Sequence, residues 1–263
     1  MNPQEPAAAE SPADARPTVV VDALGGDKAP DEPVAGALAA AHRFPDTRIV
    51  LVGPRDVIEK EVGPGNSRPE NLKIEPASEA IGMHEAPVRA LREKSDSSIG
   101  IGIGLVAEHK AGAFVSAGNT GAVVAASSLG LGMIKGVQRP GIAVPIMALD
   151  HMVVVIDAGA NIHCKPAHLF QYGLMADVFA RDVLELPERR IGLLNVGEEE
   201  RKGTHLLKES HELLCEAPIN FVGNVEANDV FFGGCDIVIC EGFVGNVVLK
   251  TSESLTMKLL DYL

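Results

Sequence analysis

From Thr18 onward, short runs of β-branched and aliphatic residues alternate with longer stretches whose apolar positions recur at helical spacing. Residues 18–23 read as a strand, closed by Leu24-Gly25-Gly26-Asp27. Pro33 suits the first turn of the following helix, where a missing N–H costs little. Residues 48–52 and 72–75 read as further strands. Pro87 opens a helix carrying Arg89, Arg92 and Lys94, and Ser97 or Ser98 caps the next, toward Glu108. Residues 113–116 form a strand with a helix after Gly121, and 152–156 an apolar strand whose loop begins at Asp157. Residues 191–194 and 236–240 repeat the pattern, each with a Gly-containing loop and then a helix. Short buried strands alternating with helices predict an α/β fold with a mostly parallel sheet covered on both faces. No repeat or linker interrupts the pattern, so residues 18–263 read as a single α/β domain. Residues 1–17, with Pro3, Pro6, Pro12 and Pro17, read as a disordered tail.

Residues 111–134 carry no charge over a length that would span a bilayer. Ser116, Asn119, Thr120, Ser127, Ser128 and interspersed glycines favour strand, loop and buried helix instead. Leu255, Leu259, Tyr262 and Leu263 fall at helical spacing, and the chain stops there without cap or polar tail, so the expectation is a shortened chain.

The 263 residues are 46% hydrophobic, with 4% aromatics and no Trp, so the core must be aliphatic. With 23 basic against 36 acidic residues the net charge is −13, which argues against a nucleic-acid partner. Cys164, Cys215, Cys235 and Cys240 form no CxxC pair and no zinc spacing. With no apolar leader in the first 17 residues, a reducing cytoplasm is expected.

In an open parallel sheet, ligands bind outside the carboxyl ends of the strands. Loops 22–27, 116–121, 157–161 and 241–246 are expected there, on one sheet edge, each putting Gly beside a small polar group. Gly lets backbone approach a ligand, and a helix N-terminus offers free N–H donors to an anion. None matches GxGxxG or GxxxxGK[ST], which removes support for dinucleotide and Walker-type sites. Lys250, one turn after Asn246, reads as a solvated lysine or as positive charge for a phosphate. Cys164, between His163 and Lys165, reads as a structural thiol before a nucleophile. Glu198, Glu199 and Glu200 read as a solvated helix start, and His84, His168 and His205 have no metal-ligand spacing. Arg89, Arg92 and Lys94 form a local basic patch, either solvated or a dock for an acidic partner.

Val20-Val21-Asp22-Ala23-Leu24-Gly25-Gly26-Asp27, Ser116-Ala117-Gly118-Asn119-Thr120-Gly121-Ala122, Asp157-Ala158-Gly159-Ala160-Asn161, Leu194-Asn195-Val196-Gly197-Glu198-Glu199 and Gly242-Phe243-Val244-Gly245-Asn246-Val247-Val248-Leu249-Lys250 occur in this order. Together they resemble the bacterial phosphate acyltransferases of phospholipid synthesis (PlsX type), which move a fatty acyl group from acyl carrier protein to inorganic phosphate. The resemblance implies a three-layer α/β/α sandwich similar to the phosphate acetyltransferase and isocitrate dehydrogenase-like fold. It also implies a homodimer in the cytoplasm with peripheral contact to the inner face of the cell membrane; separately, neither metal nor cofactor is expected. Position 241 is Glu where the family pattern commonly has Asp, and a C-terminal part of the family domain, with a Gly/Ser-rich loop and a His, is absent.

Phosphate can be its own nucleophile, so such a site must neutralise a dianion and stabilise an oxyanion. On this basis Asn119 and Lys250 are the expected catalytic residues. Gly26, Asp27, Gly118, Thr120, Gly121, Asn161, Gly245 and Asn246 are expected to bind substrate. Lys135 and Arg139, with Arg89 and Arg92 as the other candidate, are expected to dock the acidic carrier protein. The rival readings are a carrier-binding scaffold without turnover and a nicotinamide-dependent dehydrogenase on a similar fold.

Overall fold

The structure is a computed structural model that describes residues 16–63, 68–148 and 151–262; most of the expected tail lies outside the described residues. The chain divides after Gly132 into two compact units. Its strands form two sheets where the sequence pattern suggested one.

The first unit runs β1 (Thr18–Asp22), α1 (Asp31–Arg43), β2 (Arg48–Gly53), α2 (Arg55–Val62), β3 (Leu72–Pro76), α3 (Pro87–Glu93), α4 (Ser98–Ala107), β4 (Ala113–Val115) and α5 (Thr120–Gly130). Its sheet has the order β3-β2-β1-β4, all parallel. Successive strand residues face opposite sides, and both sides are covered. Ile49, Leu51, Leu72 and Ile74 pack with Val34, Ala37 and Ala41 of α1 and Ile58 of α2. Val20 and Val52 pack with Ile101 and Leu105 of α4 on the other side. Full burial of an aliphatic side chain contributes about 1.5–3 kcal/mol. Ser97 caps α4 through Gly100 N–H, as its position suggested. The chain leaves β1 toward β2 and β3, then returns to place β4 on the other flank of β1. The carboxyl ends of β1 and β4 are therefore a topological switch point.

The second unit runs β5 (Ala143–Ala148), β6 (His151–Ile156), α6 (Pro166–Asp182), β7 (Ile191–Leu194), α7 (His205–Cys215), β8 (Phe221–Val225), α8 (Asp229–Phe232), β9 (Ile237–Ile239) and α9 (Gly242–Tyr262). The sheet order is β5-β6-β9-β7-β8, parallel except for β5. Val154, Ile156, Ile237 and Ile239 bury against Leu169, Tyr172 and Ala176 of α6. Val153, Val155 and Val238 face Val230 of α8 and Val244 and Val248 of α9.

Two strands escape the hydrophobic pattern. Pro145 interrupts β5, which is tolerated because β5 is an edge strand. Gly223, at φ 102°, accompanies a register shift between β7 and β8, the other edge. Residues 111–134 hold β4, a turn and α5, and among the described residues no helix is long and apolar enough to cross a membrane.

Candidate active site

The four glycine-containing segments divide two and two between the sheets. In the first unit, the Asp22 carboxylate at the end of β1 is 2% exposed. It accepts from Leu24 N–H at 3.0 Å and from the Ser116 hydroxyl at 2.7 Å. The Ser116 oxygen in turn accepts from Gly118 N–H at 3.0 Å. One carboxylate thus ties the loop after β1 to the loop after β4. Gly25 sits in this junction: a Cβ there would lie 2.6 Å from Asp22 Oδ2, 2.8 Å from Gly118 N and 2.9 Å from Ser116 Oγ. Gly26 has φ 102°, and Asp27 is exposed.

Asn119 caps α5, its Oδ1 accepting from Ala122 N–H at 3.0 Å. Its Nδ2 faces the carbonyls of Gly82, Met83 and Glu85 at 3.1, 3.4 and 3.3 Å. The amide expected to meet phosphate is therefore spent on backbone, and Asn119 holds the 82–85 loop against the helix start. The Thr120 and Gly121 N–H groups, in the first turn of α5, have no intrahelical acceptor. Both residues are exposed. The 82–85 loop is braced again by Glu85, which accepts from Lys94 and from Gly82 N–H, each at 2.6 Å. The Lys94 hydrogen bond, ahead of the Gly82 N–H, holds the Glu85 carboxyl below its usual range. Lys94 thus leaves the expected basic patch. Arg89 pairs with Glu93 at 2.8 Å while remaining largely exposed, and Arg92 is exposed.

In the second unit, Asp157 follows β6 and is fully buried. Its Oδ1 accepts N–H bonds from Ile142, Gly159 and Ala160 at 3.0, 3.1 and 2.9 Å. Its Oδ2 accepts from Asn161 N at 2.8 Å and Asn161 Nδ2 at 3.2 Å. Asn161 Nδ2 also reaches Pro140 O at 2.6 Å and Tyr172 Oη at 2.9 Å. Asn161 is therefore a bracket for its own loop, with its amide hydrogens already engaged. Burial first, with help from Cys164 and Asp157, pushes the Tyr172 phenol far up, so it stays protonated.

The segment expected as a loop around Gly245 and Asn246 is the first turn of α9. Gly242 N–H donates to Asn161 O at 2.8 Å, and Gly245 N–H to Glu241 O at 3.0 Å. A Cβ on Gly245 would overlap the Asp157 carbonyl, so this glycine permits close packing and its amide is not open to an anion. The Glu241 carboxylate already faces Phe243 N–H at 3.3 Å. Asn246 is exposed beside Gly159. Lys250 pairs with Glu253 at 2.8 Å and is largely exposed. Lys135 and Arg139 are exposed in the irregular segment before β5, without an ion-pair partner among the described residues.

Cys164 is partly buried, and burial first raises its pKa, countering any activation by its sequence neighbours. No group of acidic, His or Cys side chains among the described residues is arranged to hold a metal. Sequence reasoning passed over Asp22, Ser116 and Asp157 as site-building residues. The signal was present: Asp22-Ala23-Leu24-Gly25 and Asp157-Ala158-Gly159 each place an Asp at or just after a strand end, and each carboxylate accepts from the N–H two residues on.

A family model described as fatty acid synthesis protein matches residues 18–262. The phosphate acyltransferase of Halothermothrix orenii is 46% identical over 245 residues, covering 92% of this chain and 73% of that protein. The phosphate acyltransferase of Desulfitobacterium hafniense (strain DSM 10664 / DCB-2) is 47% identical over 238 residues, covering 90% and 71%. Among solved structures, the EutD phosphotransacetylase from Staphylococcus aureus superposes with TM-score 0.64 at 15% identity, covering 91% of this chain and 82% of that one. A phosphotransacetylase from Streptococcus pyogenes gives 0.64 at 16%, covering 92% and 83%. These two likenesses support the α/β fold.

Proposed function

We propose that this chain, which belongs to the fatty acid synthesis protein family of the phosphate acyltransferases, takes its acyl group from a thioester on acyl carrier protein. It is an acyltransferase that transfers an acyl group to phosphate in phospholipid synthesis. The scaffold and dehydrogenase readings are not favoured by these relatives.

The observation that carries the site assignment is the start of α5 at the switch point. There the open Thr120 and Gly121 N–H groups stand behind the Gly118 turn, on a helix whose dipole favours an anion. Phosphate held there is the nucleophile. One of its oxygens attacks the thioester carbonyl carbon, a C–O bond forms, and the tetrahedral oxyanion collapses with loss of the C–S bond. The carrier-protein thiolate departs and takes a proton from solvent. Preorganised N–H donors orient the phosphate and stabilise the charge that develops. Asn119 acts as a positioning residue, setting the helix start against the 82–85 loop. Gly26 and Asp27 border this region, while Asn246 and Lys250 lie exposed on α9 of the second unit, Lys250 in its pair with Glu253.

The carrier protein is acidic, and Lys135 with Arg139, exposed and without an ion-pair partner among the described residues, is the preferred dock over Arg89 and Arg92. A cytoplasmic homodimer with peripheral membrane contact agrees with the apolar surface of α9, where Leu255, Met257, Leu259 and Leu260 are more than half exposed. Incubation with acyl-loaded carrier protein and inorganic phosphate should yield acyl phosphate and free carrier thiol in equal amounts by mass spectrometry. Thiol released with free fatty acid alone would reject phosphate as the acceptor.

A further inference from the structure

Beside the phosphate loop of the first unit lies a cavity of about 750 Å³. Its walls are apolar: Val19 and Val21 of β1, Ile49 of β2, Val115 of β4 and Ala37 and Ala40 of α1. Pro33, Gly36, Ala37 and Ala40 recur at helical spacing on α1, and their small side chains leave the space beside the sheet unfilled. Polar groups gather at one end, after β1 and at the start of α1, where Asp22, Ser116 and the charged Asp27, Lys28 and Glu32 line it with Gly25 and Gly26. That end adjoins the candidate phosphate site, because Gly25 packs directly on Gly118. A volume of this size is within the range of small-molecule sites, roughly 300–1,000 Å³, and an apolar body with one polar end matches an amphiphile.

We propose that this cavity holds the hydrocarbon chain of the acyl donor, methyl end inward and carbonyl at the polar end beside Gly118. The assignment rests on the acyltransferase reading and adds to it the place where chain length is read. Each methylene fully buried in such a cavity raises affinity roughly fourfold. The affinity of the chain for straight acyl groups should therefore climb with length until the cavity is full.

Gly36 offers the test. It lines the cavity, and a Cβ built on it meets nothing within 4 Å. Gly36→Phe therefore starts from an unobstructed Cβ on the wall of this space, and helix propensity favours the change. Calorimetric titration of the full chain with acyl-coenzyme A thioesters from hexanoyl to dodecanoyl should show the climb in the wild type. In Gly36→Phe the climb should flatten, with dodecanoyl binding at least tenfold weaker. Ala39→Phe, exposed on the same helix and outside the cavity, should keep the wild-type profile. An unchanged length profile in folded Gly36→Phe overturns the assignment. So does a change in sedimentation mass without a change in acyl binding, which would make the cavity a protein interface. Acyl phosphate formation by the wild type, measured alongside, reports on the acyltransferase reading separately. Turnover with an unaltered length profile rejects the cavity alone.

Discussion

Asn119→Ala removes two things at once. The helix loses its cap on Ala122 N–H, which typically costs about 1 kcal/mol. The 82–85 loop loses the Nδ2 donor shared among the carbonyls of Gly82, Met83 and Glu85. Two amide hydrogens contribute about 1 kcal/mol each net, so the total is about 2–3 kcal/mol. Asn119→Ser separates the contributions, because a serine hydroxyl still caps but cannot reach the loop; it should cost about 1–2 kcal/mol. Urea unfolding followed by circular dichroism should show the midpoint fall in the order wild type, Ser, Ala, with the slope unchanged. Turnover with phosphate should fall about 100-fold in the alanine variant under folding conditions, since a misplaced helix start loses a developing-charge interaction of about 2.7 kcal/mol. An alanine variant within about 0.5 kcal/mol of wild type would refute the bracing role. A serine variant as damaged as alanine would refute the cap.

Gly25→Ala forces a Cβ to within 2.6 Å of Asp22 Oδ2 and 2.8 Å of Gly118 N, so it should destabilise by about 1–3 kcal/mol, read as a lowered melting temperature; an unchanged melting point would show that the junction yields freely. Cys164→Ser should leave turnover nearly unchanged, because the partly buried thiol stays protonated; a trapped acyl-Cys164 would reverse this. Lys135→Glu with Arg139→Glu should raise KM for the carrier protein about tenfold at low salt, with a smaller effect as salt rises and little change for phosphate. A constant carrier-protein KM would move the dock to Arg89 and Arg92. Burial alone would raise the Asp236 carboxyl, but the hydrogen bonds and charge of Arg190 outweigh it and hold it below its usual range. A depressed folded pKa gives stability that is full above the unfolded value near ~4 and is lost as pH falls through the folded value. Arg190→Gln should therefore move acid unfolding to higher pH, and an unmoved acid midpoint would contradict the pairing.

The hydrophobic pattern reported local elements well and their assembly less well. Val19 to Val21, Ile49 to Val52 and Val153 to Ile156 are β-branched or aliphatic runs, and each is a strand core. Pro145 and Gly223 hide β5 and β8 because edge strands tolerate residues that central strands exclude. The division into two sheets follows from strand pairing over long sequence separations, such as β9 entering between β6 and β7, which local spacing does not encode. The site shows the same limit. The asparagines of the motifs were legible as polar groups near strand ends, but their partners were not. Asn119 reaches back to Gly82, and Asn161 reaches on to Tyr172, so amides that look available in sequence are already engaged. Gly245 looked like a loop residue for a ligand, and it is the glycine that lets α9 close on Asp157.

The central claim is that phosphate itself attacks the thioester, with no acyl-enzyme between. It is tested most directly by mixing the protein with acyl-loaded carrier protein and isotopically labelled free carrier protein. Without phosphate, the acyl group should stay on the unlabelled carrier, and adding phosphate should produce acyl phosphate. Acyl exchange onto the labelled carrier before phosphate is added would contradict direct attack and require a covalent intermediate on the protein.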